Sequence, residues 1–405
     1  MLEADALHAP AKPMADPQDA RVAAQRLHII DLLRGAMIVL MVLDHTRDFF
    51  HYQAIAFSAT DLEKTTPALF LTRWITHICA PTFVFLAGVS VYLQRVNGSS
   101  GRRLGPFLVT RGLWLIAVEI TVVSFAFFLA WPFAFLQVIW AIGVSMILLA
   151  AVIRLPQAAV LALGAVIVAG HGLLTPLDPA ALGVPQVLWT LALKPGPLAV
   201  APGTVTYPFV PWFGIMCLGY GLGFVFKQEP AARRRSLTAL GLGAFALFAV
   251  LRTVNLYGDP KPWAAQTSEL FTVLSFINVS KYPPSLDYVL LMLGISLPLA
   301  AALDRLRGPA ANLLLTFGRV PLFAYVLHLY IGRAISLLIG LAMGMPASVF
   351  QNPLANREQI LALHWGFGLG GTYAFWLLIV ALLYPAARWY AGVKRRSSRW
   401  WLAYL

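Results

Sequence analysis

Residues Ile29–Phe50 read IIDLLRGAMIVLMVLDHTRDFF. As a helix the stretch is about 33 Å long, enough to cross the ~30 Å hydrocarbon core of a bilayer. Its middle, Gly35–Leu43, is wholly apolar. Asp31 and Arg34 stand toward one end, and Asp44, His45, Arg47 and Asp48 toward the other. Ionisable residues in a membrane span are costly and mark functional sites. Arg34 and His45 are eleven residues apart, about 16 Å along the axis and almost three whole turns. They therefore share one helical face at different depths.

Nine further runs resemble this one in length and apolarity: 68–94, 107–130, 132–153, 157–173, 207–226, 236–256, 285–303, 317–342 and 365–389. Apolar and aromatic residues make up 59 % of the 405, charged residues 12 %, and mean hydropathy is +0.74. A soluble chain is about 25 % charged. This composition excludes a soluble enzyme, a disordered scaffold and a secreted disulfide module. The net charge of +13 would suggest nucleic acid in a soluble protein. Here the basic residues lie in short loops between apolar runs, so no nucleic acid is expected. The continuous runs also argue against a transmembrane barrel, whose strands alternate. The expected fold is an all-α polytopic membrane protein of about ten transmembrane helices.

Lys and Arg set the expected orientation. With the first residues inside, twenty of the thirty fall in cytoplasmic segments and nine in outer ones, with Arg34 inside the first span. Both termini are therefore expected in the cytoplasm. Residues 1–28 lack an apolar signal core and read as a disordered cytoplasmic tail. Residues 29–391 form the membrane domain, and 392–405 a basic cytoplasmic tail. The outer connections 174–206, 257–284 and 343–364 are long, as functional loops often are. Cys79 and Cys217 lie in apolar runs and suggest no disulfide framework. No cluster has the spacing of metal ligands.

The second run places Arg73 one turn from His77, and Pro81 frees a backbone carbonyl one turn earlier, at His77. The third carries Arg111 at its inner end and Glu119 two turns deeper; the ninth has Arg319 at its inner end and His328 at mid-depth. Arginines thus sit at one rim, with histidines deeper on the same helices. Arginine offers phosphate a planar fork of donors, and histidine titrates near neutrality and serves as a base. A ligand with a phosphate head and a long thin arm would touch both. Acyl-coenzyme A has that shape. Its nucleotide would rest among Arg102, Arg103, Arg111 and Arg319, with the thioester at the level of His45. Arg34, His45, His77 and His328 are then expected to line one shared cavity.

Arg34 and His45 also form the R-x10-H pattern of the membrane acyltransferase-3 proteins. The wider chain resembles bacterial relatives of heparan-α-glucosaminide N-acetyltransferase. The stretches that carry the resemblance are IDLLRGAMIVLMVLDHTRDFF (Ile30–Phe50), HICAPTFVFLAG (His77–Gly88), PWFGIMCLGYGLG (Pro211–Gly223), KYPPSLDYVLLMLG (Lys281–Gly294) and GRVPLFAYVLHLYI (Gly318–Ile331). The resemblance implies a ten-helix acyltransferase in a bacterial inner membrane. It implies acetyl-CoA on the cytoplasmic side and an acceptor sugar on the far side. Arg34 would serve the acyl-CoA and His45 the transfer. The heparan enzyme has Asn at the place of His45 and its reacting His in the following outer segment, where His51 is the nearest match. The choice between His45 and His51 therefore stays open.

The leading expectation is transfer of an acetyl group to a hydroxyl or amine of an extracytoplasmic glycan. His45, oriented by Asp44 or Asp48, is the base, with His77 and His51 as further candidates. A ping-pong route through an acetyl-His is the alternative within the class. A secondary transporter with an intramembrane polar site and a non-catalytic export partner are the rivals from other classes. Gly219, Gly221 and Gly223 offer a small-residue face for packing in the bundle or in a homodimer.

Overall fold

The computed structural model describes residues 17–98, 104–397 and 399–404. Ten helices match the ten apolar runs. They are α1 (Pro17–Phe50), α2 (Pro67–Val96), α3 (Leu104–Phe128), α4 (Val138–Val152), α5 (Gln157–Leu174), α6 (Phe209–Lys227), α7 (Pro230–Val254), α8 (Leu286–Leu303), α9 (Pro321–Ala342) and α10 (Leu369–Arg396). Eight of these are long and apolar enough to cross a membrane. The others are α1, with its ionisable ends, and α4, whose 15 residues reach only about 22 Å. The fold is an all-α polytopic membrane protein, as the composition requires.

Three expected boundaries move. The 132–153 run is not one helix. Its start forms β1 (Ala134–Leu136), and the helix begins at Val138. β1 pairs in parallel with β3 (Gly203–Val205), which pairs antiparallel with β2 (Gly196–Pro197). Pro132 cannot donate within a helix, and the strand partner satisfies the backbone instead. The described part of the expected N-terminal tail is helical, because α1 starts at Pro17. The alanine-rich sequence DARVAAQRL there favours helix. The expected tail from 392 is also partly helical, since α10 runs on to Arg396. A 3₁₀ turn, Trp400–Ala403, then brings Tyr404 against Phe107 and Thr110 of α3, with a hydroxyl–hydroxyl distance of 2.8 Å to Thr110.

Helix α1 is the central strut. It packs against α2, α8, α9, α10 and the short helix Pro309–Gly318. The last contact is backbone to backbone: a Cβ at Gly35 would lie 1.9 Å from the Leu314 carbonyl oxygen, and one at Gly318 1.8 Å from that of Asp31. Gly219, Gly221 and Gly223 pack inside the bundle, against Phe85, Leu161 and Tyr92. Of the two uses left open for this small-residue face, packing within one chain is the one seen. A Cβ at Gly219 would approach the Phe85 oxygen to 2.0 Å, whereas at Gly243 it would meet nothing. Gly219→Ala should therefore cost about 1–3 kcal/mol of stability. Gly243→Ala should cost nothing or slightly stabilise α7. Thermal denaturation in detergent, followed by size exclusion, separates the two.

Buried arginines fasten the connections. Arg233 of α7 binds both oxygens of Asp304, at 2.9 and 3.0 Å, after the end of α8. Arg252, at the other end of α7, donates to the carbonyls of Lys261, Ser275, Phe276 and Asn278. One guanidinium thus orders the long loop between α7 and α8, including its helix Glu269–Ile277.

Candidate active site

A cavity of about 560 Å³ opens between α1, α2, α3, α4, α9 and α10. Its rim is cationic: Arg34, Arg111, Arg319, Lys394 and Arg395 line it, with Asp31 among them. Arg34 is held from two sides. Its guanidinium lies 3.5 Å from Asp31 on its own helix and donates to the Ser90 hydroxyl of α2. Farther in, the wall becomes apolar, with Met41, Leu115, Val138, Ile139 and Leu322, and one hydroxyl, that of Tyr325. Arg111 and Arg319, two of the arginines the phosphate reading names, line this rim. Arg102 and Arg103 lie outside the described residues. The sequence singled out neither Lys394 nor Arg395 as site residues. Only the fold brings the end of α10 over the rim.

A second cavity, of about 250 Å³, lies at the other end of α1. Its wall carries Asp48, Gln137, Thr206, Tyr282 and Arg333 as polar groups. Phe49, Phe127, Phe135, Phe350 and Trp365 supply aromatic surface. The side-chain amide nitrogen of Gln137 is buried without a hydrogen-bond partner. Carboxylate, amide and hydroxyl groups over aromatic faces suit a polyhydroxylated ring.

The two cavities share no lining residue. His45 lines neither cavity and packs between residues of the two, Tyr325 and Phe127. On α1, Met41 faces the first cavity and Asp48 the second, one turn to either side of His45. On α9, Tyr325 faces the first and Arg333 the second, with His328 between them. The two imidazoles stack, with ring centroids 5.4 Å apart and planes 29° from parallel. Tyr325 meets His45 edge-on at 6.3 Å from the first-cavity side, and Phe127 at 5.2 Å from the second. Gln137 and Val138, adjacent at the start of α4, face different cavities.

His45 Nδ1 lies 3.5 Å from Asp48 Oδ2. Asp48 is thus the carboxylate nearest the ring, although Nδ1 makes no hydrogen bond to it and Asp48 is itself ion-paired with Arg47. Asp44 is engaged elsewhere: its carboxylate binds Arg73 of α2 and lies 3.6 Å from Arg47. Neither of these two cavities is lined by all four residues expected to share one. Arg34 alone lines the first cavity, and His45 and His328 stand behind Tyr325. His77 lines neither cavity and packs edge-on against Tyr288, 6.0 Å away. Its backbone carbonyl accepts from the Tyr288 hydroxyl at 2.7 Å, at a 3₁₀ turn that interrupts α2. This is the carbonyl that Pro81 was expected to free.

His51 follows α1 and also lines neither cavity. It bridges to Phe367, stacks on Tyr52, and its Nδ1 accepts the Gln53 N–H at 3.2 Å. Burial and the nearby Arg47 push its pKa down to about 4. His51 is thus a neutral loop-fastening group near pH 7, whereas His45 occupies the divide.

Glu119 begins a π-helical turn, Glu119–Val123, in α3. One carboxylate oxygen accepts the Trp140 N–H at 2.8 Å, and the other has no partner. The turn fixes the start of α4 against α3, where the cavities come nearest. A π-turn commonly marks a functional site, but no sequence pattern announces one.

The catalytic-domain family of heparan-alpha-glucosaminide N-acetyltransferase matches residues 26–256, more than half of the chain. The chain belongs to this family. It is therefore a membrane acetyltransferase, which sets aside the transporter and the non-catalytic partner. The match spans α1 to the end of α7, so it includes Arg34, His45, His77, Arg111 and Glu119. The stretches around Lys281 and Gly318 lie beyond it. No curated protein matches the chain.

Proposed function

We propose that this acetyltransferase takes its acetyl group from acetyl-CoA in the larger cavity. It delivers the group to a hydroxyl or amine of a glycan held in the smaller one. The observation that carries this reading is the place of His45, at the divide between two chemically different cavities. The rim arginines suit the coenzyme's phosphates. The apolar shaft suits its thin arm. The aromatic and polar second cavity suits a sugar ring. Lys and Arg counting supports a cytoplasmic coenzyme and an extracytoplasmic acceptor. The spans then sit in a bacterial plasma membrane.

In the reaction, His45 Nε2 takes the proton from the acceptor O–H or N–H. The acceptor atom bonds to the carbonyl carbon, the C–S bond breaks, and coenzyme A leaves as a thiolate that takes up the proton. Asp48 steadies the imidazolium formed on the way. A direct reaction needs both ligands bound at once, and the two separate cavities favour that over an acetyl-His route.

The purified protein in detergent, given radiolabelled acetyl-CoA and a panel of hexosamine-ended oligosaccharides, should bind the coenzyme and acetylate an acceptor. Initial rates with both substrates varied should give intersecting lines. Parallel lines would overturn the direct route, and absence of coenzyme binding would overturn the reading.

A further inference from the structure

We infer that the Tyr325 hydroxyl donates the hydrogen bond that holds the thioester carbonyl and stabilises the oxyanion formed when the acceptor attacks. This inference rests on the acetyl-CoA reading above.

Tyr325 lies on the wall of the larger cavity, yet the residue is only 4 % exposed. Its hydroxyl oxygen has no hydrogen-bond partner in the protein. A buried hydroxyl left unpaired costs about 1–3 kcal/mol. Such a group in a native fold asks for a partner that the protein chain does not supply.

Its position identifies the partner. The Tyr325 ring touches His45 and also packs 5.7 Å from His328. It therefore marks the place where a thioester must stand if His45 is to serve the transfer. The wall around it is apolar: Met41, Val138, Ile139, Leu115 and Leu322 offer no side-chain donor. The other side-chain donors of the cavity belong to its rim, where Arg34 meets Ser90, about 16 Å from His45. Among the described residues, Tyr325 is the side-chain donor of the deep end.

The need is equally specific. Attack turns the carbonyl oxygen into an oxyanion in a site shielded from water. A prearranged donor then acts most strongly, because charge develops where solvent cannot follow. The geometry is prearranged, since two aromatic neighbours fix the ring. The oxyanion accepts the hydrogen bond from Tyr325 Oη–H, and the tyrosine keeps its proton. On collapse the C=O bond re-forms and the thiolate departs, so no proton is gained or lost at Tyr325.

The test is Tyr325→Phe, which removes only the oxygen. Turnover should fall roughly 100-fold, as loss of one oxyanion donor does. The dissociation constant for acetyl-CoA should change less than threefold, because a neutral carbonyl gains little from the bond. The melting temperature in detergent should stay level or rise, since an unpaired buried hydroxyl has been removed. A purely structural hydroxyl would instead lower the melting temperature, and that result overturns the inference, as does failure to fold. Turnover within threefold of wild type also overturns it. The wild-type protein separates the two levels of failure. If it transfers acetyl normally while Tyr325→Phe does too, only the tyrosine assignment falls. If it neither binds acetyl-CoA nor transfers, the acetyl-CoA reading falls and the tyrosine role with it.

Discussion

Replacing His45 by alanine is expected to cut acetyl transfer by two orders of magnitude or more while acetyl-CoA still binds. A positioned general base contributes about 10²–10⁴-fold. Among the described residues, His45 joins the two requirements of that role: it stands between the cavities and has Asp48 3.5 Å from Nδ1. Its ring lies behind Tyr325 rather than on the coenzyme cavity wall. Coenzyme affinity should therefore change less than threefold, by equilibrium dialysis with labelled acetyl-CoA. His51→Ala is the matched control. Its loss should loosen the loop at Phe367 and leave at least a third of the turnover. If the two results are exchanged, the base is His51 and the divide has another purpose.

Arg34→Ala should produce the opposite division. Arg34 faces the larger cavity near its rim, fixed by Asp31 and Ser90. A hydrogen bond to a charged group is worth about 1.5–3 kcal/mol, or roughly 10–100-fold in affinity. The dissociation constant for acetyl-CoA should rise by that factor. Turnover at saturating coenzyme should stay within about threefold of wild type. Affinity unchanged within twofold would remove Arg34 from the coenzyme site. The loss should be larger than that from Arg319→Ala, because no ion pair or side-chain hydrogen bond fixes Arg319 among the described contacts.

The helices were legible because hydrocarbon leaves little choice. A run of twenty apolar residues can satisfy its backbone only as a helix. Each of the ten runs accordingly contains a helix, though the fourth begins with β1. The cost of burying Asp, Arg and His marked α1 in the same way, and the helical repeat put Arg34 and His45 on one face. What stayed hidden depends on contacts between segments far apart in sequence. β1 was hidden because its partner, β3, follows some 70 residues later. The ionisable cluster Asp44–Asp48 was plain, but its pairing was not. Arg73 of α2 takes Asp44, while Arg47 pairs with Asp48, whose other oxygen lies 3.5 Å from His45 Nδ1. Tyr325 carried no signal at all, since a tyrosine in an apolar helix is ordinary. Only the coordinates show its hydroxyl without a partner. His77 was a candidate by its depth alone, and its ring packs edge-on against Tyr288, lining neither cavity.

The two cavities share no wall residue, and the packed rings of His45, His328, Tyr325 and Phe127 lie between them. In energy-transducing membranes that packing acts as electrical insulation. In the direct reaction proposed above, the acceptor atom would meet the thioester carbonyl beside His45, so the acetyl group would move no farther than the bond it forms. A hydrated ion following the same route would have to shed its water among aromatic faces. On the proposed reading, acetyl groups would then leave the cell interior without a conductive pore, and the voltage across the bilayer would survive each turnover.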